Sequence, residues 1–97
     1  MEIFLLYYIF YVFISEWFCP KDYYYQQGEL HGELLGGGIL LSLEDCALAC
    51  KKDMQCQSFE HNVFVNHCYL HSAPHPNAPQ EKETVFCSKQ GKILESL

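Results

Sequence analysis

Five histidines and six cysteines are the residues of this chain whose types and spacing invite chemistry. His61, His67, Cys68, His71 and His75 fall close together, and His-Cys-x2-His-x3-His has an outward likeness to a zinc-binding run. Zinc requires thiolates held reduced and four ligands converging on one tetrahedron. If residues 67–72 form a strand, Cys68 and Leu70 point to one face and His67, Tyr69 and His71 to the other. Those ligands then cannot meet at one ion, and the bland reading of surface histidines on a strand and loop is preferred. Catalysis finds less support. A cysteine nucleophile needs an unpaired, activated thiol beside a base, and all six thiols here have plausible mates. Neither Gly-x-Ser-x-Gly nor His-Glu-x-x-His occurs. No catalytic, metal-binding or cofactor residues are assigned.

Cysteine usage is more informative as a framework. Six cysteines in 97 residues is an even, dense count of the kind that forms disulfides in an oxidising compartment. Residues 1–15 are consistent with that compartment. Ile3 to Ile14 is an unbroken apolar run closed by Ser15 and Glu16, too short for the roughly twenty residues of a membrane span. Its length suits the central region of a secretory signal peptide, although Glu2 stands where a lysine is usual. An uncleaved anchor is the alternative. The remaining chain is small enough to need covalent staples in addition to its core.

Charge narrows the partners. The chain carries twelve acids against six lysines, a net charge of −6, and has no arginine. Nucleic acid is therefore not expected, since arginine is the usual bidentate reader of phosphate and guanine.

The element that must position most of the cysteines is a helix beginning at Ser42. Ser42 suits the N-cap, where its hydroxyl accepts from the amide of Asp45. Glu44 and Asp45 in the first turn and Lys51 and Lys52 in the last follow the order a helix dipole favours. Leu43, Cys46, Ala47 and Cys50 fall at i, i+3, i+4 and i+7, a single apolar stripe. Around this helix the pattern predicts short strands near 23–27, 30–35, 57–62, 67–72 and 83–88. The glycine triplet Gly36–Gly38 is expected to form a plain turn. Residues 73–80 hold three prolines and form a loop, and residues 90–97 read as a tail.

Taken together, Ser42-Leu-Glu-Asp-Cys46-x3-Cys50-x5-Cys56, then Ser58-Phe-Glu60, then Cys68-Tyr-Leu70, resembles the PAN/apple family. This is the module at the amino terminus of plasminogen and hepatocyte growth factor, and the likeness spans Cys19 to Cys87. The resemblance implies an α+β fold over residues 16–89, in which a disulfide-stapled antiparallel sheet of about five strands is crossed by one helix. It also implies the pairs Cys19–Cys87, Cys46–Cys68 and Cys50–Cys56, and binding of protein or carbohydrate without catalysis. The shared stripe of Cys46 and Cys50, and the side of the strand that Cys68 occupies, agree with that pairing.

If Cys68 ties its strand to the helix and Phe59 packs beneath it, then Glu60, His67, Tyr69 and His71 share the open face of the sheet. An aromatic ring flanked by imidazoles and a carboxylate suits a sugar ring or a partner side chain. The expected ligand is an extracellular protein with a neutral or basic surface, or an unsulfated glycan. Heparin is not expected, because the basic patch of heparin-binding members is missing. Two other classes compete with a secreted binding module. One is a small inhibitor or toxin-like peptide presenting Ala73–Gln80, and the other is an intracellular zinc-binding protein.

Overall fold

The computed structural model describes residues 19–32 and 34–90. Residues 1–15, read above as a signal peptide, lie outside the described residues, as does the tail beyond Gln90. Among the described residues, five strands and one helix follow in the order β1 (Tyr24–Gln26), β2 (Leu34–Leu40), α1 (Leu43–Lys52), β3 (Ser58–Asn62), β4 (His67–His71) and β5 (Val85–Ser88). The strands make a single antiparallel sheet in the order β1-β5-β3-β4-β2, and α1 packs across β3 and β4. The architecture is α+β.

The helix forms where the stripe places it. Ser42 is extended, and its Oγ accepts from the Asp45 N–H at 3.2 Å. Cys46, Ala47 and Cys50 are buried, while Glu44, Asp45, Lys51 and Lys52 stay in water at the ends that suit their charge. After Lys52 the chain leaves the helix through Asp53, whose carboxylate accepts from the Gln55 N–H at 2.9 Å. That turn returns Cys56 to the helix end.

Sulfur dominates the interior. Half-cystines are six of the nine residues in the core cluster, joined by Ala47, Phe59 and Leu70, so bonds replace much of the apolar volume a larger domain would bury. Cys46–Cys68 joins helix to β4, Cys50–Cys56 closes the helix end, and Cys19–Cys87 holds the amino-terminal end against β5. Phe59 is fully buried under the helix, and Tyr23 meets it edge-on at 5.0 Å while donating its hydroxyl to the Ala47 carbonyl at 2.6 Å. Burial, then the neighbouring Asp22 charge, pushes the Tyr23 hydroxyl's pKa up.

The structure corrects three local expectations. The second strand is Leu34–Leu40, not 30–35, and the glycine triplet lies inside it instead of forming a turn. Pairing with β4 shifts register between Leu34 and Gly36 and again between Gly36 and Ile39, and Gly38 has φ +70°. Glycine inside a strand commonly marks such a bulge, because it accepts backbone angles other residues resist. The histidines are not all on the surface either. His61 is buried on the helix side, with Nε2 2.8 Å from the Leu41 carbonyl, which makes Nε2 the protonated nitrogen.

Candidate binding site

Register decides which side chains share the sheet face away from the helix. Ser58 lies opposite His71, Glu60 opposite Tyr69 and Asn62 opposite His67, while Phe59 and Cys68 alternate to the helix side. Glu60, His67, Tyr69 and His71 therefore lie on one face. That face is only partly open, which corrects the expectation of a solvated surface. Glu60 is 7% and His71 3% exposed, whereas Tyr69 and His67 are half-buried.

Two segments distant in sequence cover it. Residues 28–31 run over β3 and β4, and residues 81–84 close one side. Glu60 ties both down: its Oε1 accepts from the Leu30 N–H at 3.2 Å and its Oε2 from the Thr84 hydroxyl at 3.2 Å. Oε1 also lies 2.8 Å from His71 Nε2, and the His71 ring stacks over Phe86. Close as the pair is, neither nitrogen of the buried His71 ring has a partner of hydrogen-bond geometry among the described residues.

Glu29 is the matching anchor in the cover. Its carboxylate accepts from the backbone N–H groups of Glu81 (2.7 Å) and Lys82, and lies 3.1 Å from His31 Nε2. Burial raises the pKa of this carboxyl, but the Glu81 N–H, the His31 imidazole and the Lys82 N–H outweigh it and hold the group below the usual glutamate range. Gly28 makes the turn into this segment. Its φ is +134°, and a Cβ there would meet Pro76 at 2.8 Å and the Ala78 carbonyl at 2.9 Å.

Between cover and sheet is a cleft of about 190 Å³, lined by Glu60, Asn62, Tyr69 and His71 from the sheet and by Glu29–Gly32, Leu34, Lys82 and Thr84. Small-molecule pockets run to roughly 300–1,000 Å³, so this one takes a single side chain or one sugar ring. Three expected residues, Glu60, Tyr69 and His71, line the cleft. His67 does not, and instead stands beside Tyr69, its ring edge-on at 6.3 Å. Glu29, His31, Lys82 and Thr84 were not anticipated, because only the path of the chain brings them there.

One comparison bears on this arrangement. The family model of the PAN domain matches residues 24–91, well over half of the chain. The chain belongs to the PAN domain family. No curated protein and no solved structure matches it significantly. PAN domains are disulfide-rich modules often involved in protein or carbohydrate binding, generally non-catalytic, and a PAN domain with three disulfides is typical of extracellular proteins. In this PAN domain Cys68 is bonded to Cys46 on the helix side, so it offers no thiolate to the imidazoles across the sheet. The Ala73–Gln80 loop is held down along its length. Asn77 clamps both backbone groups of His31, at 2.9 and 2.8 Å, and His75 Nδ1 lies 3.0 Å from Gln26 Oε1. A loop so anchored does not project in the manner of an inhibitor's. Among the described residues, no helix is long and apolar enough to cross a membrane.

Proposed function

We propose that this PAN domain is a secreted, non-enzymatic module that recognises an extracellular protein or an unsulfated glycan in the cleft opposite its helix. The observation that carries the reading is the half-exposed ring of Tyr69 on the cleft wall beside the buried Glu60–His71 pair. An aromatic face with fixed polar groups around it suits a sugar ring or a partner side chain, stacking on one part and hydrogen-bonding the rim. Glu29 and Glu60 in the wall, with Lys82 the only lysine of the lining among the described residues, disfavour sulfated or phosphorylated ligands. Residues 1–15 act as the secretory signal in this reading.

The test is to secrete the full chain from eukaryotic cells, sequence its amino terminus, and present it to neutral glycans, basic proteins and heparin. Secretion with residues 1–15 removed, binding in the neutral or basic arm and passage through heparin at physiological salt are expected. Retention on heparin, or an amino terminus at Met1, contradicts it.

A further inference from the structure

Exposed apolar side chains are not scattered over this molecule. Seven of the ten large exposed hydrophobics among the described residues lie either on β2 or at the β3–β4 turn. Leu40 is 70% and Phe64 73% exposed. The two places adjoin, since Leu40 pairs with His67 and the Leu41 N–H donates to the Asn66 carbonyl at 2.9 Å. Ile39 and Leu40 thus run into Val63, Phe64 and Val65 as one patch, while Leu34 lies at the far end of the strand beside the cleft. Among the described residues β2 is also an edge of the sheet, bonded only to β4, and it is seven residues long against three for β1 at the other edge.

Natural edges are usually guarded by lysine, proline or inward-pointing charge. Leu34–Leu40 has none of these and relies on its bulges alone, and residues 63–66 carry no charge either. From this we infer that the β2 edge and the Val63–Val65 turn form a two-fold interface with a second copy of this chain. Charge selects the occupant. In a chain of net charge −6, most contacts between two copies set carboxylates against carboxylates, whereas this face meets its own copy with no charge on either side. A basic partner would be steered to the acidic faces instead. The two bulges in β2 interrupt its outer ladder, so the copies meet through apolar side chains and not through a continuous ten-stranded sheet.

Sedimentation velocity on the secreted full chain tests this across micromolar to millimolar concentration. A reversible dimer is expected that tightens as salt rises toward about 1 M, where the Debye length is about 3 Å and repulsion between copies is screened. Leu40→Asp and Phe64→Asp change exposed side chains, so both should keep the three disulfides in an intact-mass measurement. Each should raise the dimer dissociation constant about a hundredfold or more, because an aspartate there is buried unpaired. Leu48→Asp, on the exposed side of α1 outside the patch, should leave the dimer unchanged. The inference is overturned by a monomer at every concentration, by a dimer that weakens with salt, or by a dimer that survives Leu40→Asp and Phe64→Asp. Equal loss in the Leu48→Asp control overturns it too.

Discussion

Glu60 Oε1 and His71 Nε2 lie 2.8 Å apart on neighbouring strands, both almost sealed from solvent. The pair joins the sheet to its cover, because the same carboxylate also receives the Leu30 N–H and the Thr84 hydroxyl. Removing that carboxylate leaves the buried Leu30 N–H and Thr84 hydroxyl without their acceptor, at about 1–3 kcal/mol for each group left unsatisfied. Glu60→Ala should therefore lower the unfolding free energy by about 2 kcal/mol or more in a urea titration. It should also speed hydrogen exchange at Leu30 before the helix amides are affected.

Disulfide loss should be graded by position as well as by loop length. On the chain-entropy model, loops of these sizes contribute about 4 kcal/mol for Cys19–Cys87, about 3 for Cys46–Cys68 and about 2 for Cys50–Cys56. Despite its middle rank, Cys46–Cys68 is the bond between helix and sheet. Replacing both of its cysteines by alanine should expose the core to dye binding and broaden the unfolding transition. Replacing Cys50 and Cys56 should leave a cooperative transition shifted to lower urea.

Acid sensitivity follows from Glu29. Its folded pKa is depressed, so between its folded and unfolded values the native state binds fewer protons than the unfolded state. The stabilisation is complete above the unfolded value of about 4.3 and is lost as pH falls through the lower folded value. Glu29→Gln should be less stable than the parent at pH 7 and should show a shallower loss below pH 4. Chemical denaturation at a series of pH values measures both.

Tyr23→Phe removes one short hydrogen bond to the Ala47 carbonyl and keeps the ring against Phe59. A cost of about 1 kcal/mol is expected. Double substitution with Phe59→Leu should be non-additive, since the two rings touch.

Much of this was legible from period alone. The 3.6 spacing of Leu43, Cys46, Ala47 and Cys50 marked the helix and its buried stripe, and the two-residue alternation in His67–His71 separated Cys68 from the imidazoles. What period does not carry is contact between distant segments. Nothing local in Ser58-Phe-Glu60 tells that Leu30 and Thr84 will lie on that carboxylate, so a face read as open is half-closed. The glycine triplet failed for a related reason. Glycine is neutral between a turn and a bulged strand, and pairing with β4 made the choice.

The proposal that the cleft is the binding site turns on Tyr69. The direct measurement is partner affinity for the parent, Tyr69→Ala and His67→Ala at neutral pH. Each variant must first show the parent's three disulfides and unfolding midpoint. A loss of about tenfold or more for Tyr69→Ala and a smaller loss for His67→Ala are predicted. Unchanged affinity in Tyr69→Ala would contradict the account and put the site elsewhere on the domain.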